Sequence, residues 1–120
     1  MKLYTINATP VRTREQMMST IGRAMPSDKV LSDSEVASLN EVSIKEYPST
    51  VAGVLEASGI SGCTIEQVMG FWKNKPEVSF KIQVATDSPN TLRKVCESLR
   101  DAFNQDAVML TLPDNEVEFI

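Results

Sequence analysis

The chain has 120 residues, a net charge of −4 and no histidine, a length that makes one domain and buries roughly two thirds of the unfolded surface in a modest core. Its twelve Lys and Arg residues are scattered, so the clustered cations that displace counterions from a phosphate backbone are missing and nucleic acid is not expected as a partner. Without imidazole, Ser-His and Cys-His nucleophiles and histidine general bases are excluded, and two cysteines alone give no expectation of a metal site.

Leu3, Tyr4, Ile6 and Ala8 read as a first strand, stopped by Pro10, which cannot donate in a ladder. This start lacks the continuous apolar core of a secretory signal, and no apolar run is long enough to cross a bilayer. A cytoplasmic protein with no membrane partner is the expectation. Thr13 and Gln16 have capping-box spacing, and Met17, Met18, Ile21 and Met25 recur at helical intervals, which predicts a short helix over 14–24. The methionine stripe reads as adaptable core packing or as the lining for an apolar ligand. Ser32, Asp33 and Glu35 open a second helix, with Tyr47-Pro48 marking its expected end.

Val51, Val54 and Leu55 then read as a strand, broken by Gly59, Ser61 and Gly62, and the stretch 65–75 reads as irregular. Val78, Phe80, Ile82 and Val84 alternate with Ser79, Lys81 and Gln83, the clearest strand pattern in the chain. Leu92, Val95, Cys96, Leu99, Ala102 and Phe103 form a full helical stripe, and 107–112 closes as a strand before a short segment at 117–120. The order strand, helix, strand, strand, helix, strand predicts a single α+β domain, a ferredoxin-like βαββαβ sandwich with an antiparallel sheet and helices on one face. A domain this small has little room for a deep pocket, so a site between subunits is expected.

Candidate site residues lie where elements start or stop. Glu77 heads the alternating strand, either as a solvated end residue or as a carboxylate facing a cation in partial shelter from water. Gln105 and Asp106 are either a helix cap and turn, or an amide and acid aimed at a ligand. Ser61, Gly62, Cys63 and Thr64 allow close backbone approach but carry no phosphate-loop spacing. Trp72 is a core or interface indole, or a stacking surface for a purine. Cys63 and Cys96 are expected as free thiols.

The stretch from Ser61 to Leu112 resembles the bacteriophage S-adenosylmethionine lyases, formerly called hydrolases. The likeness rests on the Gly62-Cys63 turn, a glutamate at the head of a Val/Phe-alternating strand, a Leu/Val/Cys/Leu helix and the Gln105-Asp106-x-Val108 strand entry. It implies a homotrimer that binds S-adenosylmethionine between subunits and splits it into methylthioadenosine and homoserine lactone, countering host restriction. No cofactor is implied, because the substrate's own carboxylate is the nucleophile. By carry-over Glu77 would face the ammonium or sulfonium, Gln105 with Asp106 would position the polar tail, and Ser61 to Thr64 would meet the nucleoside. Where related enzymes tend to have an aromatic hydroxyl after Gly-Cys, this chain has Thr64. The other reading is a non-catalytic ferredoxin-like oligomer that binds a small ligand or a host protein.

Overall fold

The computed structural model describes residues 1–21 and 30–120. In chain order the elements are β1 (Lys2–Ala8), α1 (Arg14–Ile21), α2 (Asp33–Ala57), β2 (Thr64–Trp72), β3 (Lys75–Thr86), α3 (Pro89–Ala102), β4 (Met109–Thr111) and β5 (Val117–Phe119). The five strands form one antiparallel sheet in the order β2-β3-β1-β4-β5. This is the α+β, ferredoxin-like sandwich, with β5 added outside β4.

Alternation decides which sheet face is covered. Tyr4, Ile6 and Ala8 of β1 lie opposite Val84, Ile82 and Phe80 of β3, and all six are buried. Onto them pack Leu92, Val95, Cys96 and Leu99 of α3. The intervening residues, among them Thr5, Asn7, Glu77, Ser79 and Gln83, therefore occupy the uncovered face. Arg93, on the outer side of α3, grips Glu118 with two bonds of 2.8 and 2.7 Å and fastens β5 to α3.

The chain departs from the pattern expected of its sequence in two places. The second helix does not stop at Tyr47-Pro48: α2 runs 25 residues, straight through Pro48. Val51, Val54 and Leu55 are therefore helix and not strand. A proline inside a helix costs about 3 kcal/mol through a lost hydrogen bond and a clash with the preceding turn. Tyr47, Val51 and Leu55 are each at most 1% exposed, and burying each contributes about 1.5–3 kcal/mol, so the sum exceeds the penalty. The strand displaced from 51–55 is found instead at 64–72, in the segment read as irregular. It pairs with β3 along its whole length. Lys73 and Asn74 both have positive φ, 51° and 62°, which builds the two-residue primed turn that a right-twisted hairpin favours.

Both predicted helix starts have reciprocal caps. Thr13 Oγ1 accepts from the Gln16 amide while Gln16 Oε1 accepts from Thr13, and Ser32 and Glu35 do the same for α2. Met17 is core, 2% exposed, whereas Met25 and the rest of the helix predicted beyond Ile21 lie outside the described residues. Among those residues, no helix is long and apolar enough to cross a membrane. Both cysteines are free, Cys63 exposed and Cys96 buried.

Since Pro48 opposes the helix that contains it, Pro48→Ala should raise stability by about 1–3 kcal/mol, read as an increase in the midpoint of urea unfolding with an unchanged slope.

Candidate functional site

The open face of the sheet has two polar ends, and the predicted site residues divide between them. At one end are the start of β1, the start of β2 and the end of β3. Here α2 terminates in a Schellman motif: Gly59, at φ 83°, donates to the Glu56 carbonyl at 3.0 Å, and Ile60 donates to Leu55 at 2.9 Å. This cap needs a left-handed residue, which explains Gly59. It also turns the chain so that Ile60, Ser61, Gly62, Cys63 and Thr64 form the wall of a cleft of about 710 Å³, whose floor includes Leu3, Gln83 and Ala85. The four residues singled out from the Gly-Cys turn thus all line one cavity. Although Cys63 is exposed, desolvation at the cleft wall pushes its thiol above the usual range, which lowers the thiolate fraction.

At the other end lie Glu77 and Gln105. Glu77 is half-buried and sits opposite Gly70 of β2. A glycine there leaves the carboxylate uncovered on that side, because no cross-strand side chain crosses it. On its other side Thr9 Oγ1 donates to the Val78 carbonyl at 2.7 Å and also lies within hydrogen-bond reach of the Glu77 carboxylate. One hydroxyl proton serves one acceptor at a time. Burial therefore outweighs the bond, and the Glu77 carboxyl is raised above the usual carboxylate range.

Gln105 has two roles. Its backbone amide donates to Arg100 at 2.9 Å, with Asn104 in the left-handed region at φ 49°, closing α3 with a second Schellman motif. Its side-chain amide donates to the carbonyls of Val11, at 2.8 Å, and Phe103, at 3.2 Å. The cap expected as the alternative is therefore present, and among the described residues no donor reaches Oε1 of Gln105. Asp106 is exposed. The side chain of Trp72 lies outside what the structure describes.

Within one chain the two groups stay apart. Six residue steps of extended strand, about 20 Å at the usual rise, separate Glu77 from Gln83, and Glu77 is not among the residues that line the cleft at the Gly62-Cys63 turn.

No protein-family model matches the chain, and no curated protein matches it in sequence. Among solved structures, a phage SAM lyase in its apo state superposes with a TM-score of 0.61 at 13% identity, covering 98% of this chain and 86% of that one. The chain has the fold of a phage SAM lyase. At that identity the likeness carries the architecture, from β1 through β5, and leaves the chemistry to the residues themselves.

Three residues of these two ends were not singled out from the sequence: Thr9, Gly70 and Gln83. A glycine within a strand is a sign of close approach, but the signal at Gly70 was hidden while its segment read as irregular.

The raised carboxyl of Glu77 has a consequence for stability. The native state holds the proton to higher pH than the unfolded chain does, so stability falls as pH rises through that interval and the cost is complete above it. Glu77→Gln should therefore be neutral to stabilising at pH 7, with the difference from wild type vanishing in acid below the unfolded carboxylate range. Thermal unfolding at several pH values measures this.

Proposed function

We propose that this protein cleaves S-adenosylmethionine into methylthioadenosine and homoserine lactone. The observation that carries the reading is the fold likeness to a SAM lyase over 98% of the chain, joined to a half-buried, uncovered carboxylate where the sequence resemblance puts one. In this reaction a carboxylate oxygen of the substrate attacks its own γ-carbon, the carbon–sulfur bond breaks, and its electron pair neutralises the sulfonium as a thioether leaves. No water, cofactor or protein nucleophile is consumed. A chain without histidine can perform it, since the enzyme's contribution is to fold the methionine tail into an in-line conformer and to exclude competing solvent.

In this reading Glu77 holds the substrate ammonium or balances the sulfonium, and its partial burial strengthens that attraction relative to water. Gln105 presents Oε1 to the polar tail, with Asp106 beside it, and the 59–64 wall receives the nucleoside. Thr64 stands where relatives tend to have an aromatic hydroxyl. The phage setting and a role against host restriction belong to the same reading.

The 20 Å scale of the gap between the two ends supports a trimer with shared sites. A ring built from head-to-tail contacts places one surface of each subunit against a different surface of the next. It can thus bring Glu77 of one copy to the cleft of another, completing three equivalent sites.

Incubation with S-adenosylmethionine followed by chromatography should show methylthioadenosine and homoserine lactone. Glu77→Gln should lower turnover by about 10²–10³-fold, the scale of losing a preorganised electrostatic contact. Wild-type turnover should also fall as pH drops through a value above the usual carboxylate range, because protonation removes the charge. Substrate left intact after prolonged incubation would instead indicate a non-catalytic binding oligomer. Incorporation of ¹⁸O from labelled water during the cleavage step would indicate hydrolysis.

Shared sites predict complementation. Mixing inactive Glu77→Gln with a cleft-blocked Ser61→Trp variant should restore about a quarter of wild-type activity in randomly reassembled rings. No recovery from subunits shown to have exchanged would confine the site to one chain.

A further inference from the structure

The cleft at the α2 end contains a polar group that the reaction does not use. Gln83 lies on the open face of β3, half-buried, directly between Thr5 of β1 and Thr64 of β2. It faces the cavity bounded by Leu3, Ile60 and Ala85. Among the described residues its carboxamide forms no hydrogen bond. This contrasts with Asn40, which exchanges two bonds with Arg12, and Gln105, whose amide spans two carbonyls. A half-buried amide without a protein partner can exchange its water for the donor and acceptor of a ligand.

The lining describes that ligand. Apolar side chains flanking a carboxamide suit a flat heteroaromatic ring whose edge carries a donor beside an acceptor, the pattern that glutamine pairs with in 6-aminopurines. The charged groups at the cleft are Asp87, which is exposed, and the Met1 ammonium, which pairs with it at 3.4 Å. No Lys or Arg lines the cleft, and its one ammonium is already matched by Asp87, whose remaining lone pairs can accept from sugar hydroxyls. The cleft therefore fits a nucleoside rather than a nucleotide.

We propose that Gln83 is the specificity residue of this cleft, reading the base edge of a 6-aminopurine nucleoside whose ring lies between Leu3, Ile60 and Ala85. This rests on the cleavage of S-adenosylmethionine proposed above and adds the group that selects its base. Gln83 touches the base and takes no part in bond breaking.

The test is calorimetric titration of the full-length protein with adenosine and with purine riboside, which lacks the 6-amino group. Wild type should bind adenosine about 10- to 100-fold more tightly, the range for one amide–base pair. Gln83→Leu should bind the two nucleosides equally, because the apolar walls remain and the reading group is gone. Gln83→Met, of similar length, provides the same comparison should the leucine variant fail to fold. A merely structural role would weaken both ligands alike and preserve their ratio. Wild-type discrimination retained in a folded variant, or no adenosine binding by wild type, overturns the proposal. Methylthioadenosine release is measured in parallel. Discrimination that depends on Gln83 without cleavage would sink the lyase reading and keep this one, and cleavage with discrimination independent of Gln83 would do the reverse.

Discussion

Tyr47 is the constraint on which the rest of the structure depends. Its ring sits 5.0 Å from Phe80 and 4.9 Å from Phe103, the latter edge-on, so one side chain of α2 touches both strand β3 and the C-cap of α3. Tilted and edge-to-face geometries suit aromatic quadrupoles and add to the area each ring buries. The residue after Tyr47 is the proline that opposes helix continuation. Without a deeply buried anchor at this point, α2 would have local reasons to end here, and the second half of the helix would lose its position over the sheet. Burial also pushes the Tyr47 hydroxyl well above its ordinary range, so the ring stays neutral.

With α2 in place, the remaining architecture follows from alternation. One face of β1 and β3 is consumed by the core, and the other is left polar. Glu77 and Gln83 share that second face because an even number of residues separates them. They serve opposite ends of it because β3 is long, at 12 residues. A fold of this kind spreads its chemistry over a surface and gathers it only when another surface closes on it. The division of the candidate residues between two ends of one face is thus a property of the topology.

Much of this was legible in the residues. The alternation from Val78 to Val84, the apolar stripe of α3, the capping-box spacing of Thr13 and Gln16 and the helix start at Ser32 are local patterns, and each corresponds to a real element. What failed were places where tertiary burial overrode a local signal. Pro48 marked a stop that the buried stripe Tyr47, Val51 and Leu55 overcame, and Lys73-Asn74 formed a tight turn without the usual Asn-Gly signature. The two errors offset each other in the strand count, which is why the fold class was right while β2 was misplaced. The identities of Glu77, Gln105 and the Gly62-Cys63 turn stood out as element boundaries. Their distribution over two ends did not, because strand register and end-to-end distance are set by pairing. Gln83 read as one polar residue among several on the outer face, and only the wall descending from α2 distinguishes it.

That wall has a mechanical origin. The residues from Ser58 to Cys63 hang directly from the last turn of α2, held by the bonds from Gly59 and Ile60 to Glu56 and Leu55, while the floor belongs to the sheet. Any axial slip of the helix against the strands widens or narrows the gap between them. The aromatic clamp two to three turns upstream therefore acts as a set-screw for aperture: repacking it with smaller rings would loosen the fit of a bound molecule without altering a single group that molecule touches.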